Sequence, residues 1–297
     1  MKRWIFHVAL VMAALAVAAC VERKSETTLN PDGSGKIVID QVMLPPPQMA
    51  GGAAVPDAQD RANAEVMQFF MGAAGVEAWK DVSFKAEDGG RISLKATGYF
   101  PDISRLQIQP SRKIKWTKDE RGGGTLMFED PAVATEKPPE LTDEQVKEMV
   151  KDARARYQQN AATAELFFKG LRLEMAYKLP GKIKDAGVFT KTGESSALLV
   201  IDGKKMIESM DRAMKDDRFM EATIREGKRA DDKMAQILFG RPGPVKLTVS
   251  DAGKPQFEYK KEMEEARAGQ EAMFKKIGID MSNSPVIRHI APGGTGK

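Results

Sequence analysis

Chemistry at an acyl, glycosyl or phosphoryl centre needs a nucleophile, a poised acid or base, or a metal cage. This chain carries few of the residues that build them. In 297 residues it has one cysteine, Cys20, and two histidines, His7 and His289. His289 stands in a Pro- and Gly-containing C-terminal stretch and reads as a tail histidine, not as the base of a Ser-His-Asp arrangement. The acidic pairs Glu87/Asp88, Asp216/Asp217 and Asp231/Asp232 fall in polar turns or at helix ends. Nothing apolar surrounds them to raise one pKa for general-acid work. No catalytic residue is expected.

Three further motifs point at ligands, and each has a plainer reading. Asn30, Asp32 and Ser34, with Gly35 after them, match the first, third, fifth and sixth places of a calcium loop. The twelfth place is Gln41, which has no carboxylate charge, so a hairpin turn is expected. Met206, Met210 and Met214 recur every four residues. Thioethers at that spacing can hold Cu(I), but Ile207 shares the face and a core stripe explains it. Gly293-Gly294-Thr295-Gly296-Lys297 lacks the first glycine of a phosphate loop and the helix that must follow it. Trp79 and Trp116 are expected to be separated, half-buried aromatics. No metal and no cofactor follow from these residues.

Composition narrows the class further. Lys plus Arg total 46 against 42 for Asp plus Glu, a balance that leaves no basic excess to neutralise nucleic-acid phosphates. At 42% hydrophobic and 30% charged, the chain is neither disordered throughout nor a multi-span membrane protein. A single cysteine excludes an intramolecular disulfide and a Cys-rich zinc site.

Cys20 has a different use. Lys2 and Arg3 precede an apolar run from Ile5 to Val17, and Ala18-Ala19-Cys20 closes it. A charged start, an apolar stretch too short to span a bilayer comfortably and small residues before a cleavage point describe an export signal over 1–19. Its ending resembles the bacterial lipobox. That resemblance implies cleavage between Ala19 and Cys20 and acylation of the Cys20 thiol, with three acyl chains holding the mature protein stably on a membrane. It places the protein in the cell envelope. Val21, where inner-membrane lipoproteins of diderm bacteria commonly carry aspartate, favours the outer membrane facing the periplasm.

The elements that follow read as α+β, with mostly antiparallel hairpins, packed amphipathic helices and a more helical C-terminal half. Hairpins are expected around Asn30–Gly35, Asp88-Gly89-Gly90 and Gly122-Gly123-Gly124. Pro45-Pro46-Pro47 to Gly51-Gly52 reads as a loop and Asp57–Met71 as a helix. A long helix starts after Thr142, where Gln145 three residues on completes a capping box. Strands are expected over 171–177, 197–201 and 245–249. Helix in two or three pieces is expected over 204–239, and a charged helix over 258–277. Residues 20–281 form the expected ectodomain, 130–140 offers the one candidate subdivision, and 282–297 reads as a flexible tail.

The lipobox followed by Thr27-Thr28-Leu29-Asn30-Pro31-Asp32-Gly33-Ser34-Gly35 resembles bacterial lipoproteins of the LppM type and related envelope lipoproteins. The likeness is specific over about the first forty residues and architectural beyond them. It implies an α+β module that meets a lipid or glycolipid. From that family only Cys20 is carried across as a functional residue. The expected function is non-catalytic: a membrane-anchored protein binding an amphiphile or a protein partner. The alternative is an assembly protein that docks other envelope proteins through the charged helices Glu144–Arg156 and Glu258–Lys275.

Overall fold

Residues of the first strand are mostly charged or small and polar, and turn chemistry decides where it ends. β1 (Glu22–Leu29) and β2 (Gly35–Met43) form the hairpin expected around Asn30. Within the turn, Asp32 Oδ1 accepts from the Ser34 backbone N–H and from its hydroxyl. This is the local side-chain bonding that makes Asx turns. The computed structural model describes residues 22–43, 58–108, 113–120, 122–129, 140–226, 231–240 and 243–280. Ala19 and Cys20, the 45–52 loop, the 282–297 tail and His289 lie outside them.

Helix α1 (Ala58–Gly72) follows, then β3 (Ala78–Ala86) and β4 (Ile92–Phe100), then β5 (Lys113–Lys118) and β6 (Gly124–Glu129). The 26-residue α2 (Asp143–Phe168) carries the capping box at Thr142 and Gln145, with both reciprocal hydrogen bonds made. Beyond it come β7 (Arg172–Lys178), two short strands β8 (Lys182–Asp185) and β9 (Thr190–Lys191), and β10 (Ser196–Asp202). Three helices, α3 (Gly203–Lys215), α4 (Asp217–Glu226) and α5 (Asp231–Phe239), lead to β11 (Lys246–Ser250) and α6 (Tyr259–Lys276). The class is α+β. No helix of the described residues is long and apolar enough to cross a membrane.

The strands form two sheets. The larger has the order β3-β4-β2-β1-β7-β10-β9 and the smaller β5-β6-β11-β8. All pairs are antiparallel except β1 with β7. Both sheets draw strands from either side of residues 130–139, through β1–β7 and β6–β11. The main core lies between the inner faces and α1, where Ile39, Leu94, Phe70, Trp79, Leu126 and Leu247 are all fully buried. A separate cluster under α3 joins Leu171 and Leu173 to Met206 and Met210. Another joins α2 to α4 through Val146, Val150, Met220 and Ile224.

Strand β3 is an edge, and an open edge invites pairing with other chains. Helix α6 covers it. Gln270 Oε1 accepts the Trp79 backbone N–H at 2.6 Å, and Met273 Sδ accepts that of Val82 at 3.3 Å. The register of β3 shifts between Lys80 and Ser83, with Asp81 at φ 53°, a bulge in the edge strand. Opposite Trp79, a Cβ on Gly98 would lie 2.9 Å from the indole, so glycine is what lets that ring sit on the sheet.

Candidate functional site

Strand geometry puts Arg23, Ser25, Thr27 and Leu29 on one face of β1, since side chains alternate with period two. That face is buried: the first three are 8%, 8% and 4% exposed. Gln41 stands opposite Arg23 across β2, and Tyr177 opposite Thr27 across β7. These are also buried, so five polar side chains run in a row across the inner face of the larger sheet. Their polar atoms are not among the buried side-chain atoms left without a partner, which among the described residues are Trp79 Nε1 and Arg267 Nε. Polar groups on a buried sheet face need partners, which protein groups, water or a bound molecule can supply.

Each end of the row has a distinct setting. At one end, Tyr177 meets aromatic rings: Phe128 and Phe189 stand edge-on to it at 5.7 and 5.8 Å. At the other, Arg23 is paired in register with Gln41 and with Leu173 of the cluster beneath α3. Burial pulls the Arg23 guanidinium down from its ordinary value to about 10, against a weaker upward pull from Tyr177. Burial pushes the Tyr177 phenol up from its ordinary value, opposed by the Arg23 cation. The row is therefore a cation-ended strip of polar atoms, with rings at its far end and aliphatic side chains beside it. Sequence reading missed it. The period-two pattern of Arg23, Ser25 and Thr27 was present, but nothing within the strand marks that face as the buried one.

The motifs singled out in the sequence are placed elsewhere. Asn30 is 3% exposed. Its Oδ1 accepts the Gln256 N–H at 2.8 Å, and its Nδ2 faces the Phe257 carbonyl and the Ser34 hydroxyl, each at 3.3 Å. Trp116 Nε1 donates to the Pro31 carbonyl and Ile103 N to the Gly33 carbonyl. The loop is a joint between elements with its ligand-type oxygens already engaged. Met206 and Met210 are buried beneath α3, and Met214 packs against the α2–α4 cluster, as a core stripe does. Trp79 is fully buried, not half-buried, and its Nε1 has no hydrogen-bond partner among the described residues. Asp216 caps α4 by accepting the Phe219 N–H, while Asp217 pairs with Arg154 at 2.7 Å. Among the described residues no three His, Cys, Asp or Glu side chains converge on a metal-sized space.

The two charged helices differ. On α6, Glu262 binds Lys36 at 2.8 Å and the Tyr99 hydroxyl at 3.1 Å, and Arg267 lies 3.6 Å from Glu77, so one face is committed to the sheet. Helix α2 instead borders an open groove of 580 Å³ shared with α4. Lys147, Lys151 and Arg154 form one wall, Asp217 and Glu221 the other, and Val150 is in the floor.

No family model matches the chain. No curated protein matches it either. Among solved structures, the folded domain of the LppM protein of Mycobacterium tuberculosis, determined by NMR, is similar over 62% of this chain and 84% of that one. The TM-score is 0.27 and the identity 9%. This is a distant likeness to a lipoprotein domain, and at that score it carries no argument about strand order or ligand.

Proposed function

We propose that the protein is a lipid-anchored envelope lipoprotein whose ectodomain binds an amphiphile without catalysing a reaction. The Ala19–Cys20 motif supports the anchor and, through Val21, an outer-membrane address facing the periplasm. The observation that carries the binding reading is the buried row Arg23, Ser25, Thr27, Gln41 and Tyr177 on an otherwise apolar face. A head group with hydrogen-bonding oxygens is complementary to such a polar row, and its hydrocarbon continues along the neighbouring aliphatic and aromatic side chains. Native mass spectrometry of the chain from Val21 onward, mixed with an envelope lipid extract, tests this. A retained stoichiometric lipid mass is expected, and Arg23→Met should abolish it. Replacing a buried charge by an apolar side chain of similar length is often neutral or stabilising, so the variant is expected to fold. A clean unliganded mass from the unsubstituted chain overturns the reading.

One observation favours assembly as a second reading. The groove between α2 and α4 presents basic and acidic walls to solvent, a surface that a protein segment of alternating charge would fit. Crosslinking in cells at Lys151 should then give one dominant protein adduct.

A further inference from the structure

We infer that one end of the larger sheet, the rim formed by Glu22, Val42, Ile92, Arg172 and Asp202 with the turns beside them, lies against the phospholipid surface. This rests on the proposed anchoring at Cys20. Only Val21 separates Cys20 from Glu22, the first residue of β1. Two Cα steps span at most about 7 Å. A cysteine whose acyl chains sit in the bilayer therefore holds the start of β1 at head-group level.

Strand register extends that one point to a whole edge. Glu22 pairs with Val42 on one side and with Arg172 on the other. Arg172 pairs with Asp202, Val42 with Ser93, and Ile92 with Ala86. The parallel β1–β7 pairing is decisive, because it brings the beginning of β7 and the end of β10 to the anchored side. The Glu87–Arg91 turn and the first turn of α3 lie on the same rim. Lys204 and Lys205 are exposed there, and their ammonium groups make no ion pair among the described residues. Glu22, Glu87 and Asp88 share the rim, so the short tether, more than net charge, sets the approach.

The opposite end carries the Asn30 turn, about 23 Å away at 3.3 Å per strand residue. Joined to it are the smaller sheet, through Trp116 and Pro31, and the Glu194–Ser196 turn. The outer face of the larger sheet offers lipid little. Its charges close on each other as Lys95–Asp40 at 3.1 Å, Lys178–Glu26 at 2.6 Å and Arg172–Glu174 at 2.7 Å. Upright on its rim, the molecule also sets Arg23, three residues from the anchor, at the side from which a membrane amphiphile would enter.

The test uses the full acylated protein in vesicles of phosphatidylethanolamine and phosphatidylglycerol containing a lipid with a nitroxide head group. Acylation blocks the Cys20 thiol, so one introduced cysteine takes a fluorophore uniquely. Labels at Asp88→Cys and Lys204→Cys are expected to be quenched several-fold more than labels at Ser104→Cys and Glu194→Cys, with Lys95→Cys between. Equal quenching at all positions, the reverse order, or Lys95→Cys as strongly quenched as the rim overturns the inference and leaves the anchor intact. Intact mass reports the anchor separately: a purified chain with no added acyl mass on Cys20 overturns both.

Discussion

Replacing Gln270 by leucine removes the acceptor that closes the edge strand while keeping a side chain of similar size. Gln270 is 3% exposed, and Trp79, whose N–H it accepts at 2.6 Å, is fully buried. Water cannot easily take over, so the donor is left unpaired in a dry setting at a cost of about 1–3 kcal/mol. Leucine returns a fraction of that through added apolar burial. A net loss of about 2 kcal/mol is expected, which lowers the melting temperature by about 3–4 °C at this chain size. The effect is local in origin, so hydrogen exchange supplies the sharper readout. The Trp79 amide should lose protection, while the amides joining β4 to β2 keep theirs. Loosening α6 also uncovers β3, and light scattering should detect concentration-dependent association through that edge. A Gln270→Leu protein with an unchanged melting temperature and a protected Trp79 amide would refute the role assigned to α6.

Two other outcomes follow from the same packing. Gly35→Ala should destabilise the protein by about 1–3 kcal/mol in urea titration, because its Cβ would sit 2.5 Å from both the Thr28 carbonyl oxygen and the Phe100 ring. A midpoint equal to that of the unsubstituted chain would show that the β1–β2 hairpin yields without cost. Stability should also fall as pH rises above about 10. Burial, together with hydrogen bonds to Glu262, Asp211 and Glu77, raises the phenols of Tyr99, Tyr157 and Tyr259, and burial alone raises Tyr177. The unfolded chain then releases these protons first, which favours unfolding. Arg23, with its depressed pKa, acts in the opposite sense above about 10, so four phenols are set against one guanidinium. A urea midpoint that does not fall between about pH 8 and pH 11 would contradict this balance.

How much of the molecule could be read from its residues depended on how local each cause was. The capping box at Thr142 and Gln145 and the hairpin turns at Asn30, Asp88 and Gly122 are made within a few residues, and their chemistry is visible in order along the chain. The N-terminal motif ending at Cys20 is equally local, a pattern of charge, apolar length and small residues. Strands β8 and β9 were not legible. Lys182–Asp185 and Thr190–Lys191 have no strong strand pattern, and they become strands only because β11 and β10 offer them partners. The row of polar groups was hidden for a related reason. Period two says that Arg23, Ser25 and Thr27 share a face, but two faces are available, and nothing within the strand says which one turns inward. Which face turned inward was settled by β2 and β7, whose Ile37, Ile39, Leu173 and Tyr177 needed burial beside them. Sequence alone determined the local turns, the caps and the candidate anchor. Only the tertiary structure decided that β7 runs parallel to β1 and that Arg23, three residues after Cys20, lies inside, because both depend on contacts between segments some 150 residues apart.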